Sequence, residues 1–216
     1  RRLAHEVKNP LTPIQLAAER IWHRLGQKLT PEDAQLLKKS TQTIVAQVGA
    51  LKTMVNAFGD YARPQRLQMT RWPLNQLVDE VLDLYEHNEA LCIVRLLSEK
   101  SPEVYADRDR MRQVLHNLIK NAIEASSADI VIEIGTCEEW ADDRRQILFW
   151  VADRGAGLPE HFDERWYEPY RTGKQEGMGL GLAVARKVAE EHGGSVVAAN
   201  REGGGAVFTI TLPQQG

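Results

Sequence analysis

The chain has 216 residues, 43% of them hydrophobic and 26% charged, enough for one ordinary domain plus a smaller element and unlike a disordered or fibrous chain. Its 27 basic and 30 acidic residues are intermixed at a net charge of -3, which leaves no electrostatic footprint for nucleic acid or for an anionic membrane surface. Two cysteines, Cys92 and Cys137, lack ligand or redox-motif spacing and sit in apolar, β-prone runs, so both are expected as small buried side chains in a reducing cytosol.

The chain starts without methionine, inside a helical pattern, as a piece of a longer protein would, which leaves room for an upstream membrane part; no apolar run here approaches the roughly 20 residues that cross a bilayer. Apolar positions at Val7, Leu11, Ile14, Ala18, Ile21 and Leu25 alternate in steps of four and three and predict a first helix, which Gly26 ends. Thr30 reads as the cap of a second helix with Pro31 at its first position. The same heptad spacing follows at Leu37, Thr41, Ile44, Val48, Leu51, Val55 and Phe58. Two such helices joined by a short turn make an antiparallel hairpin that buries each stripe on one neighbour only, so dimerisation into a four-helix bundle is expected, with packing of the hairpin on its own downstream domain as the alternative.

With Val7 at heptad position d, the residues His5, Glu6 and Asn9 face away from the seam and share one exposed face. Pro10 cannot donate to the Glu6 carbonyl, nor Pro13 to that of Asn9, which predicts a bend just beyond the histidine. Tyr61 to Pro64 reads as a break and linker. Beyond it come a β-like Leu67 to Thr70, a helix from about Pro73 to His87, and a strand from Cys92 to Leu97. A long helix from about Arg108 to Ser126 leads to strands Ile130 to Cys137 and Gln146 to Asp153 and an irregular stretch to Gly177. A helix from about Leu180 to His192 and strands near Ser195 to Ala199 and Ala206 to Leu212 close the chain. This order predicts an α/β sandwich, with helices on one face of a mixed sheet.

Gly177, Gly179 and Gly181 precede a helix, where small residues and free backbone N–H groups suit phosphate. No Gly-Lys-Ser/Thr follows, so this is not a Walker loop, and no strand precedes it as a dinucleotide fingerprint requires. Asn117 and Asn121, four apart, share a helix face, where an amide oxygen can complete the octahedron of a magnesium ion otherwise held by phosphates and water. Asp153 ends an apolar strand and is followed by Gly155 and Gly157; a carboxylate there can accept the adenine amine while the glycines admit the ring. Singly, each has an ordinary structural reading as a common glycine turn, a solvated amide pair or an aspartate starting a turn.

Together and in this order they resemble a sensor histidine kinase core. His5 to Pro10 is similar to the H box, Asn117 to Asn121 to the N box, Asp153 to Gly157 to the G1 box, Trp166 to Tyr170 to the F box, Gly177 to Gly181 to the G2 box, and Gly203 to Gly205 to the final glycine turn. The resemblance implies a dimerisation and phosphotransfer hairpin over residues 1 to 63 and a catalytic ATP-binding domain of the GHKL (Bergerat) fold over 64 to 216. It implies His5 as the phosphoacceptor, Glu6 as the acid that orients and deprotonates it, and Asn9 as the residue that places water for dephosphorylation. ATP and Mg2+ are the implied cofactors, with Asn121 as the metal ligand, Asn117 in support, and Asp153 as the adenine reader beside Gly155, Gly157, Gly177, Gly179 and Gly181. Arg171 and Lys174 are the candidate phosphate contacts.

The run KNPLTPIQLAAERI is most like that of nitrogen-regulation sensors, which implies an NtrX-like response regulator receiver domain as partner, a homodimer through the hairpin, and the cytoplasmic portion of an inner-membrane-anchored bacterial sensor. Two departures, Met178 where the G2 box has Thr or Ser and Gly173 where the lid has a second Thr, bear on lid order and ATP affinity. The competing readings are a GHKL ATPase without histidine transfer and a dimeric scaffold with a degenerate ATP site. The first type carries a water-activating Glu where Asn117 stands, and intact Asn121 and Asp153 argue against the second. A metalloprotease reading of His5-Glu6 fails because Asn9 occupies the place of the second histidine.

Overall fold

The computed structural model describes residues 2–62, 66–86, 88, 90–126, 130–141, 144–172 and 179–214, with the side chains of 2–9, 53–54 and 56–62 outside that description. The chain divides into two compact units, residues 1–65 and 66–216.

The first unit is a helical hairpin of α1 (Arg2–Leu25) and α2 (Pro31–Ala62). α1 continues through Pro10 and Pro13. Thr30 starts α2 as expected: its hydroxyl accepts the Asp33 N–H at 3.3 Å and donates to the Asp33 carboxylate at 2.7 Å. Lys52 Nζ donates to Gln15 Oε1 at 2.8 Å, and Lys38 stands over the Trp22 ring, so the helices run antiparallel. The heptad stripe is covered on one side only. Leu11, Ala18, Thr41 and Val48 are buried between the helices, whereas Ile14, Ile21, Leu25, Ile44 and Leu51 remain 42 to 47% exposed.

The second unit is a helix-on-sheet sandwich. β2 (Leu91–Leu96), β4 (Ile130–Ala141), β5 (Arg144–Asp153), β7 (Ala206–Pro213) and β6 (Ser195–Asn200) form a mixed sheet in that spatial order. Only β2 and β4 are parallel. A separate antiparallel pair joins β1 (Met69–Pro73) to β3 (Glu103–Asp107). The helices α3 (Leu74–Asp83), α4 (Arg108–Ala125) and α5 (Gly181–Glu191) cover one sheet face. On α4 the buried set Met111, Val114, Leu115, Leu118, Ile119 and Ala122 recurs every three to four residues. It packs on alternate sheet residues of β4 and β5 such as Ile132, Ile134 and Phe149, all nearly inaccessible.

The ends of α4 and α5 explain why these segments stop where they do. Asp107 caps α4 by accepting the Arg110 N–H at 3.1 Å. α5 ends in a Schellman turn: Gly193 (φ +71°) donates to the Glu190 carbonyl at 3.0 Å and Gly194 to that of Ala189 at 2.8 Å. His192, 4% exposed, holds these two helices together. Its Nε2 accepts the Asp107 N–H at 3.0 Å, so Nδ1 carries the proton and donates to the Val188 carbonyl at 2.7 Å.

Some expectations need correction. Cys92 is exposed and Cys137 half-buried, because both point to the sheet face that the helices leave uncovered. β1 starts two residues later than expected and α3 ends four residues earlier, at Asp83. β3 was not anticipated: its five residues are stabilised by pairing with β1 and by the Trp72 indole N–H, which donates to the Ala106 carbonyl at 2.9 Å, and neither is visible in a local pattern.

Candidate nucleotide site

The expected nucleotide residues of the second unit gather where α4 ends and α5 begins. Asn117 and Asn121 occupy half-buried positions on successive turns of α4. Ala125, one turn further, meets the loop that follows β5: the Ala156 N–H donates to the Ala125 carbonyl at 3.3 Å, and a Cβ at Gly155 would lie 2.3 Å from that oxygen. Only glycine lets the loop close over α4 at this distance. Gly181 opens α5 directly beside the metal-ligand candidate; a Cβ there would stand 3.4 Å from Asn121 Nδ2 and 3.5 Å from its Oδ1. The start of α5, whose first N–H groups have no partner within the helix, therefore lies beside the Asn121 amide, a setting that favours an anion. Gly179, at φ +63°, accepts the Tyr170 N–H at 3.1 Å, and Tyr170 itself holds a left-handed φ of 69°.

Asp153 is 2% exposed at the end of β5. Its Oδ1 accepts from the Gly155 N–H at 2.8 Å and the Ala206 N–H at 3.3 Å. Both bonds use one oxygen, and a carboxylate has acceptor capacity for a further N–H at the other. Gly157, also in this loop, lies beside Asn200.

Among the described residues no group of three or more His, Cys, Asp or Glu is placed to hold a metal ion. One amide oxygen at Asn121 suits instead a magnesium ion whose remaining ligands are phosphate and water.

Other expected residues are not brought into this geometry. His5, Glu6 and Asn9 lie on α1, and their side chains fall outside the described residues. Lys174 and Gly177, with the departures Gly173 and Met178, also lie outside them. Arg171 is exposed and lines a cavity of about 200 Å³ with His161, Asp163, Arg165 and Trp166. Arg165 donates to Asp163 through Nε at 2.8 Å and holds that carboxyl below the usual carboxylate range. Asn200 and Arg201 were not singled out from the sequence, yet both contact the Asp153 loop. Their partners are 42 and 48 residues away, so no local signal marks them.

Comparison with known proteins agrees with this arrangement. The family model described as histidine kinase-, DNA gyrase B-, and HSP90-like ATPase matches residues 106–216, and that of the His Kinase A (phospho-acceptor) domain matches residues 1–67. The nitrogen regulation protein NtrY of Azorhizobium caulinodans is 36% identical over the whole chain, which spans 28% of that protein. The sensor histidine kinase ZraS of Escherichia coli K12 is 32% identical over 98% of the chain and 44% of its own length. The chain thus spans less than half the length of either relative. Among solved structures, the catalytic domain of the histidine kinase ThkA has a TM-score of 0.61 at 34% identity, covering 68% of this chain and 98% of that one. The structure of ThkA in complex with the response regulator protein TrrA has a TM-score of 0.71 at 32% identity, covering 99% of this chain and 60% of that one.

A phospho-acceptor hairpin followed by a sandwich whose N-box amide borders the start of α5 is the arrangement of a sensor histidine kinase core, and the chain belongs to the histidine kinase-, DNA gyrase B- and HSP90-like ATPase family in that branch.

Proposed function

We infer that the chain is the kinase core of a two-component sensor, which phosphorylates its own His5 from ATP and passes the phosphoryl group to an aspartate of a response regulator. The meeting of Gly181 with Asn121 and of the Asp153–Gly157 loop with Ala125, along the last turns of α4, carries the reading, in a chain whose hairpin matches the phospho-acceptor domain.

Asp153 accepts the adenine amine, while the α5 N-terminus takes phosphate charge. Asn121 would provide the protein ligand of Mg2+, which, when bound, screens the charge of the phosphates. Glu6 accepts the Nδ1 proton of His5 and so leaves the Nε2 lone pair free. Nε2 forms the new bond to the γ-phosphorus as the bond to the β-γ bridging oxygen breaks, releasing ADP. The N–P bond then exchanges for an O–P bond on the regulator's aspartate. Asn9 holds the water that later hydrolyses that phosphoaspartate, giving the core a phosphatase activity.

The exposed isoleucines and leucines of the hairpin support a homodimer. Likeness to NtrY supports nitrogen regulation and an NtrX-like receiver domain as partner. The reading also places this core in the cytoplasm, in a bacterial sensor anchored in the inner membrane through a part outside this chain; likeness to longer sensor proteins is its support.

Incubation with γ-labelled ATP and magnesium is expected to give an acid-labile, alkali-stable label that His5→Gln abolishes while ATP binding persists. Full labelling of His5→Gln would remove the phosphoacceptor assignment. ATP hydrolysis with no protein label would favour an ATPase without histidine transfer.

A further inference from the structure

The turn between β6 and β7 grips the Asp153–Leu158 loop at both ends. At one end, Arg201 Nη1 donates to the Asp153 carbonyl at 3.2 Å while its Nη2 pairs with Glu133 Oε2 at 2.8 Å. Glu133 stands on β4 opposite Ala152, the residue before Asp153 on β5, and its other oxygen meets Arg154 at 3.3 Å. One planar guanidinium thus ties the turn to two strands. Gly205 packs so closely on the same Asp153 carbonyl that a Cβ would lie 2.0 Å from the oxygen, and the next residue, Ala206, gives its N–H to Asp153 Oδ1. At the other end, the Asn200 amide oxygen accepts the Leu158 N–H at 2.6 Å and sits 2.8 Å from where a Gly157 Cβ would be.

The loop therefore has little freedom of its own. Its two ends are held by residues that arrive more than 40 positions later in the chain, and the Asp153 carboxylate accepts from one such residue, Ala206, as well as from Gly155 within the loop.

We propose that Asn200 and Arg201 are positioning residues for base recognition, which hold Asp153 where it accepts a purine 6-amino group and rejects a 6-carbonyl. The proposal rests on the reading of Asp153 as the adenine contact. A buried carboxylate rewards an amine and repels a carbonyl oxygen, but only while it cannot swing away. Loosening either end of the loop lets the carboxylate retreat from a carbonyl, so selectivity falls before phosphate binding does.

The test uses the full 216-residue chain with magnesium and compares ATP with inosine triphosphate, which differs at purine position 6, by competition against a labelled ATP analogue. Asn200→Ala should lower ATP affinity by roughly 5- to 10-fold, the range of one hydrogen bond, while inosine triphosphate affinity moves by less than about 2-fold. Asn200→Asp keeps an acceptor oxygen and should restore the ATP preference. Arg201→Lys cannot bridge two acceptors in one plane and should act in the same direction as Asn200→Ala, which keeps the question open to measurement if the alanine variant fails to fold. On an Asp153→Asn background, Asn200→Ala should cost no further ATP affinity. Parallel losses for both nucleotides, or losses in the double variant that simply add, would mean that the turn only supports the fold and would overturn the proposal. If Asp153→Asn alone leaves ATP affinity at the parent level, the base-reading role of Asp153 itself falls, and the positioning role with it.

Discussion

At the scale of single residues, one type of side chain does unrelated work according to what surrounds it. His192 is a fixed structural base: both ring nitrogens are committed to backbone groups between α4 and α5, and its neutral tautomer is set by the Asp107 N–H. Replacing it with Phe leaves the buried Asp107 N–H and Val188 carbonyl without these bonds, and should cost about 1 to 3 kcal/mol in chemical denaturation. His5, by contrast, is assigned a transient bond. Asn9, one turn later on α1, should separate the two proposed activities. Asn9→Ala is expected to keep autophosphorylation within a few-fold of the parent while regulator dephosphorylation falls by a factor on the order of 10 to 100, which both rates measured on one preparation will decide. Glu133 brings pH into the same scale. Hydrogen bonds from Arg201, then Arg154, hold its carboxyl below the usual carboxylate range. A folded-state pKa lowered in this way contributes stability that is complete above the unfolded value of about 4.3 and is lost as pH falls through the folded one. The stability gap between the parent and Glu133→Gln should therefore be widest near neutral pH and narrow progressively in acid; a gap that does not change with pH would mean the ion pair is not its source.

Among elements, the turns and caps decide where each segment stops. Thr30 closes a capping arrangement with Asp33, and Thr30→Ala should destabilise the hairpin by about 1 kcal/mol, read as a lower unfolding midpoint. Gly193 sits at φ +71° with both Schellman hydrogen bonds formed around it. Gly193→Ala places a Cβ in the left-handed region at a cost of about 1 to 2 kcal/mol. The same substitution at the half-buried Gly49, inside α2 with open space where its Cβ would stand, should instead stabilise by roughly 0.5 to 1 kcal/mol. Opposite signs for one chemical change would confirm that backbone geometry, rather than packing, sets both effects.

For the whole molecule, the two units obey different rules. The sandwich encloses its own core between three helices and one face of the sheet, whereas the hairpin leaves half of its apolar stripe in water. Burying Ile14, Ile21, Leu25, Ile44 and Leu51 against a second hairpin returns about 25 cal/mol for each Å² removed from water. Ile44→Asp would bury a charge in that seam, so it should convert the dimer to a monomer in sedimentation while leaving ATP binding intact. A monomeric parent would leave the exposed stripe without its proposed occupant.

Most of the element order was legible in the sequence because periodicity and breakers are local. The heptads predict α1 and α2, the Thr30-Pro31 pair locates the start of α2, and apolar or alternating runs predict six of the seven strands to within a few residues. The motifs Asn117 to Asn121 and Asp153 to Gly157 have ordinary readings singly, and stand out because in this order they resemble the boxes of a sensor histidine kinase. β3 and the roles of Asn200, Arg201 and His192 were not, since each depends on a partner tens of residues away. Nor could the sequence tell which face of an apolar strand is covered: Cys92 and Ile93 are neighbours on β2, and only the side on which the helices pack leaves the cysteine in water. Local composition determines which elements form, because hydrogen bonding and side-chain spacing act over a few residues. Which side chains meet is decided only by tertiary packing, which sets the start of α5 beside Asn121, the end of α4 against the loop after β5, and the β6–β7 turn on the Asp153 carboxylate.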